Sequence, residues 1–137
     1  ANGGLHTNYS GKANAAVRAL TEGGYDFAYI HVEAPDEMGH QGSVEKKVRA
    51  IEFLDQRLIR IVREAMDASG EPYRLLILPD HPTPVSARTH TADPVPYLLY
   101  DSRKHCFCGA SYCERAARES GRWVKDGYHL IEHLFEY

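Results

Sequence analysis

From about Ser43 to Ala68 the apolar residues recur with the period of a helix. Val44, Val48, Ile51, Leu54, Leu58, Ile61, Val62 and Ala65 form one stripe, and Glu45, Lys46, Arg49, Arg57, Arg60 and Arg63 lie mostly off it. Ser69-Gly70 ends this pattern, and Arg74-Leu75-Leu76-Ile77-Leu78 follows between Pro72 and Pro79. A short continuous apolar run of that kind suits a central parallel strand buried on both faces. Upstream, Tyr25–Val32 is aromatic and β-branched and stops before Pro35, which reads as another strand. A helix is expected over Tyr9–Leu20, capped by Asn8 and stopped by Gly23-Gly24. A third strand is expected at Pro96–Tyr100, and shorter helices near Ser111–Ser120 and Gly127–Phe135. Strand, helix, strand is the grammar of an α/β protein with a parallel sheet. Three strands make a small sheet, so the chain reads as part of a larger one.

Composition narrows the function. The 137 residues match one domain large enough to bury its own core. The net charge is −3 with His neutral, and no run of Lys and Arg exceeds two residues. Nucleic acid is therefore a poor partner. No apolar stretch approaches the roughly 18 residues of a membrane span, and the first residues do not read as a signal peptide. The chain starts without Met, so it is expected to begin inside a larger protein or after processing. Three clustered cysteines, Cys106, Cys108 and Cys113, argue against a disulfide framework and for a reducing cytoplasm. Eight histidines, where about three would be expected at ordinary usage, direct attention to metal or acid–base chemistry.

In α/β folds, ligands bind outside the carboxyl ends of the strands. The polar residues of this chain gather at strand boundaries. They are Glu33 to His40, Asp80-His81-Pro82-Thr83-Pro84, and Arg88 to Pro96. Asp36, His40, Asp80, His81 and His90 are thus candidates to meet at one sheet edge. A carboxylate with imidazoles suits a borderline cation such as Mn²⁺ or Zn²⁺. Asp36 and His40, four apart, reach one ion from a single turn. Asp80 and His81 are adjacent, so their side chains are expected to diverge. Two ions about 3.5–4 Å apart clamp an in-line phosphoryl transfer. The plainer alternative is a solvated Asp-x-x-x-His and an Asp80 that caps a helix beside a surface His81.

Three segments carry a resemblance. Tyr25 to His40 (YDFAYIHVEAPDEMGH), Leu78 to Pro84 (LPDHPTP) and Arg88 to Pro96 (RTHTADPVP) closely resemble the archaeal-type cofactor-independent phosphoglycerate mutases of the alkaline phosphatase superfamily. The opening LHTNYSGKA and the closing ESGRWVKDGYHL are similar as well, so the likeness spans nearly the whole chain. It implies a two-metal site. Asp36, His40 and His90 match the residues that hold the first ion, and Asp80 and His81 match the Asp-His pair of the second. It implies two divalent ions (Mn, with Zn or Mg as alternatives), no organic cofactor, and a small phosphorylated substrate, phosphoglycerate. The implied reaction interconverts 2- and 3-phosphoglycerate through a phosphoserine.

The family's N-terminal Asp strand and nucleophilic Ser motif have no match here. Ser10, Ser43, Ser69, Ser86, Ser102, Ser111 and Ser120 stand in other contexts. The chain therefore resembles the C-terminal part of the phosphatase-like domain, with no catalytic residue of its own. It is expected to be inactive alone, to need the missing N-terminal part of its domain, and to be prone to homodimerise through the exposed sheet. A related phosphotransferase of the proposed homoserine kinase type and a metal-binding module without turnover are the alternatives. Other residues invite roles with plainer explanations. His105, Cys106, Cys108 and Cys113 offer four zinc donors, but the spacing fits no standard zinc motif and reduced thiols are expected. His31 reads as a half-buried strand residue. Glu33 and Glu37 can support the metal ligands or be solvated. Arg88 can meet a phosphate or form a salt bridge. His129 and His133 read as surface residues.

Overall fold

In the computed structural model of the chain, residues 4–104 and 109–135 are described. They form two compact units. One comprises Ala1–Glu71 with Thr83–Thr91, the other Pro72–Pro82 with Ala92–Tyr137. Helices and short strands are mixed, as an α/β reading requires. No helix among the described residues is long and apolar enough to cross a membrane. His105, Cys106 and Cys108 lie outside the described residues, so the zinc alternative cannot be placed; Cys113 is a free thiol.

The first unit is helical. Helix α1 spans Tyr9–Thr21 and starts as expected, with the Asn8 side chain accepting the Gly11 N–H at 2.8 Å. Helix α2, Ala34–His40, begins with Pro35 in its first turn, where a missing N–H is harmless. Asp36 and Glu37 sit in that same turn, where the helix dipole favours negative charge. Pro35 thus opens a helix rather than merely ending a strand. Gly42, at φ +68°, stops α2. Gly42 N–H donates to Gly39 O at 2.9 Å and Ser43 N–H to Met38 O at 3.2 Å, the paired bonds of a Schellman ending. The Ser43 hydroxyl then caps helix α3, Val44–Leu54, by accepting the Lys46 N–H. Ala34 and Met38 of α2 bury against Ala50 of α3, with Leu5 and Val32 packed alongside.

The expected long helix exists over Val44–Ser69 but is interrupted. A π-helical turn, Asp55–Ile59, separates α3 from α4, Arg60–Ser69, which ends at Gly70 with φ +74°. The apolar stripe is therefore not one core face. Val44, Val48 and Ile51 are exposed, whereas Leu58, Val62 and Met66 are buried. A π turn inserts an extra residue and shifts the phase between the two halves. Tyr9 of α1 and Phe53 pack their rings edge-on, and Arg57 lies over the Phe53 ring with Cζ 3.6 Å from its centroid.

Two expectations about strands are corrected. Tyr25–Val32 forms no strand among the described residues, and Tyr25 and Tyr29 are exposed. Strand propensity expresses itself only where a neighbour supplies the ladder and a surface to pack on. The remaining strands, β1 (Arg74–Ile77) and β2 (Leu98–Asp101), pair antiparallel, not parallel. Both belong to the second unit. β1 is half-buried on both faces and most of β2 is exposed, so neither is the fully buried central strand expected. The register explains the direction. Arg74 opens β1 and Asp101 closes β2, and they stand opposite each other with Nε 2.9 Å from Oδ2. Only an antiparallel pairing brings those two ends together. Arg103 adds its own guanidinium and backbone N–H to Asp101, and these bonds hold the Asp101 carboxyl well below the usual carboxylate range. Tyr112 anchors the following segment by donating to Pro96 O at 3.0 Å. Burial, with the Glu114 charge adding to it, pushes its phenol up to about 12. Helix α5 (Glu114–Glu119) is shorter than expected, and the last expected helix is a 3₁₀ turn at Gly127–His129 followed by helix α6, Glu132–Phe135.

Candidate metal centre

Asp36 and His40 point from successive turns of α2, and His90 arrives from the loop of the same unit. Their donor atoms meet. His40 Nε2 is 3.4 Å from Asp36 Oδ2, His90 Nε2 is 3.3 Å from Asp36 Oδ1, and the two Nε2 atoms are 3.2 Å apart. One donor atom from each residue lies within 4.8 Å of every other. All three side chains keep a solvent-facing portion, with relative exposures of 33% for Asp36, 42% for His40 and 51% for His90. A carboxylate oxygen and two imidazole nitrogens facing one point is the donor chemistry a borderline divalent ion takes. The residues present fit such an ion.

The groups around the three are ordered too. Thr83, 3% exposed, donates its hydroxyl to Asp36 Oδ1. Lys47 Nζ of α3 donates to the Thr83 carbonyl. Gly39 lets this strand of chain approach α2, because a Cβ there would stand 2.3 Å from Thr83 O. His40 Nδ1 is 2.9 Å from the Arg88 carbonyl. Residue pattern alone assigns Thr83, Lys47 and Gly39 no role. Thr83 carried a faint signal as the lone hydroxyl between Pro82 and Pro84, while Lys47 looked like one more charge on a solvated helix face.

Asp80 and His81 belong to the second unit. Their side chains do not diverge as expected. His81 Nε2 is 3.4 Å from Asp80 Oδ2, and the His81 N–H donates to Asp80 Oδ1 at 3.1 Å. Asp80 is 64% exposed and His81 32%. His31 stands apart from the three donors, with Nε2 3.7 Å from Glu33 and its carbonyl taking Lys12 Nζ at 2.7 Å. His129 pairs with Glu132 at 2.6 Å on the surface.

Residues 3–122 match the family described as the Metalloenzyme superfamily, and the chain belongs to it. Among curated proteins it is similar to a 2,3-bisphosphoglycerate-independent phosphoglycerate mutase of Methanothrix thermoacetophila, 44% identical over 98% of this chain and 34% of the relative. A protein of the same name from Methanosarcina mazei is 50% identical over 76% of this chain and 26% of the relative. The chain thus spans about a third or less of the length of these relatives. Among solved structures, that of the PH0037 protein from Pyrococcus horikoshii superposes with a TM-score of 0.67 at 29% identity, covering 87% of this chain and 34% of that one.

Proposed function

We propose that the chain is the C-terminal metal-binding segment of a 2,3-bisphosphoglycerate-independent phosphoglycerate mutase, part of one alkaline-phosphatase-like domain. The observation that carries this reading is the meeting of Asp36, His40 and His90 donor atoms, in a chain similar to proteins of that name. Asp36, His40 and His90 hold one divalent ion, with Mn²⁺ the favoured metal. Asp80 and His81 contribute to a second, together with groups in the part of the relatives this chain does not span. When bound, such ions supply Lewis acidity and neutralise the charge of a transferring phosphoryl group.

The chain's own residues do the positioning. Asp36 offers one oxygen towards each histidine while Thr83 donates to Oδ1, which fixes the carboxylate plane. Lys47 holds the Thr83 backbone and so keeps that donor in place. Its ammonium adds positive charge near the site, favourable for a phosphoglycerate anion. The substrate is a small phosphate ester handled in the cytoplasm, and the phosphoryl-accepting Ser lies outside this chain. The test uses the full-length protein. His40→Ala and Asp80→Ala should each abolish phosphoenzyme formation and mutase turnover while thermal melting stays near wild type. Phosphoenzyme formed at wild-type rates by both variants would remove these side chains from the chemistry.

A further inference from the structure

His40 must present Nε2, without a proton, to serve the site. Neutral histidine in water favours the opposite tautomer, with the proton on Nε2, so something has to select the other form. Among the described residues, the atom that stands against the far side of the ring at bonding distance is the Arg88 carbonyl oxygen, 2.9 Å from Nδ1. A carbonyl only accepts, so Nδ1 must carry the proton and Nε2 the lone pair.

Arg88 delivers that carbonyl by an uncommon route. It is the one non-glycine residue among those described with positive φ, +53°. Left-handed backbone disfavours a residue with a Cβ, and glycine would be the ordinary choice. Arg88 closes a turn in which Ala87 N–H and Arg88 N–H both donate to Pro84 O, at 3.1 and 2.9 Å. Its side chain explains why arginine can stand there. Gly42, itself at φ +68°, leaves room for the guanidinium: a Cβ on Gly42 would lie 2.4 Å from Arg88 Nε and 2.9 Å from Cζ. Two left-handed residues therefore face each other at the end of α2. The side chain of Arg88 rests on the turn after His40, and its backbone bonds His40 itself. His90 follows two residues later in the chain.

We propose that Arg88 is a positioning residue whose left-handed backbone, seated over Gly42, fixes His40 in the Nδ1–H tautomer before any metal arrives. The proposal rests on the metal reading for its purpose but not for its test. The first measurement is proton–nitrogen correlation NMR of the His40 ring in the metal-free full chain, at a pH well above the imidazole range. Wild type should show the proton on Nδ1; a proton on Nε2 in wild type overturns the proposal without any variant. The second compares Arg88→Gly with Arg88→Val. Glycine adopts positive φ freely, so Arg88→Gly should keep the tautomer and hold Mn²⁺ affinity within about threefold of wild type. Valine resists positive φ, so Arg88→Val should lose the tautomer and bind Mn²⁺ about 10–100-fold more weakly, the effect of losing an outer-sphere partner. Wild-type tautomer and affinity in Arg88→Val overturn the proposal, as does a loss in Arg88→Gly equal to that in Arg88→Val, since the guanidinium and not the carbonyl would then set the ring. If Arg88→Val does not fold, the wild-type tautomer and the Arg88→Gly result still decide. Failure of wild type to bind Mn²⁺ by calorimetry overturns the metal reading alone, because the tautomer is read without metal.

Discussion

The Asp36–His40–His90 group and the Asp80–His81 pair contain the same chemical types and differ in how they are held. In the first, residues 50 apart in sequence bring Nε2 atoms to 3.2 Å, and Thr83, Lys47 and the Arg88 carbonyl fix the members from outside. In the second, neighbours in sequence satisfy each other at 3.4 Å, and Asp80 is largely solvated. An imidazole nitrogen stands 3.3–3.4 Å from a carboxylate oxygen in both; what marks the first is that donors from three residues share one point and bonds from outside the group hold them there. On the proposed function, the first arrangement is prepared for a cation, and the second only when further groups complete it.

The largest effect should come from removing a donor of the prepared site. His40→Ala in the full chain should lower Mn²⁺ or Zn²⁺ affinity by about 100-fold or more, beyond what loss of an outer partner costs. Calorimetry with metal-free protein reads this directly, and an affinity unchanged from wild type would dissolve the distinction between the two regions. The matching control lies in the scaffold. Leu58 is 7% exposed, so Leu58→Ala should cost about 2–5 kcal/mol in urea unfolding. Metal affinity per folded molecule should not change.

The meeting of Asp36, His40 and His90 was legible in the sequence, because they fall at motif boundaries and a four-residue spacing on a helix is fixed by geometry. Asp36 and His40 needed only one helical turn to be joined. The bonds that orient them were not legible. Thr83 and the Arg88 carbonyl act through backbone placement, and a backbone carbonyl leaves no mark in a residue pattern. The helix caps were readable because Asn8 and Ser43 act locally. The exposed half of the Val44–Ala65 stripe was not, since a π turn changes phase without a compositional signal. Strand direction failed for a similar reason: an apolar run specifies burial, whereas the Arg74–Asp101 pairing that sets antiparallel register spans distant segments.

Gly39 tests how far the prepared site depends on close approach. On helix propensity alone, Gly39→Ala should stabilise α2 by about 1 kcal/mol. Against that, the new methyl would stand 2.3 Å from Thr83 O and 2.9 Å from Thr83 Cγ2. A backbone atom cannot swing aside as a side-chain end can, so overpacking should prevail and destabilise by about 1–3 kcal/mol. Urea midpoints give the sign, and metal affinity should fall with stability because Thr83 leaves Asp36.

The second unit has its own well-held carboxylate, Asp101, and its response to acid separates structural from ligand-binding roles. Its carboxyl is held below the ordinary range by Arg103 and Arg74. A depressed value means the stabilisation is fully present above the unfolded value of about 3.9 and is lost as pH falls through the folded value. Urea melts should therefore show wild type losing stability in strong acid, and Asp101→Asn should flatten that acid limb. An identical limb in the variant would show that Asp101 does not carry it.

The smallest effect is expected at Asp80, and it is the sharpest test of the comparison. An exposed Asp–His pair contributes at most about 1 kcal/mol, so Asp80→Ala should leave unfolding of the full chain almost unchanged. The three donors that meet are Asp36, His40 and His90, and Asp80 is not one of them. The first ion should then bind Asp80→Ala in this chain within about threefold of wild type, because all three of its donors are retained. If the proposed function holds, the same substitution in the full-length protein should abolish phosphoenzyme. A silent change in this chain and a lethal one in the whole protein would show that the pair acquires its role only on completion. If Asp80→Ala weakened the first ion as much as His40→Ala does, the two regions would act as one site.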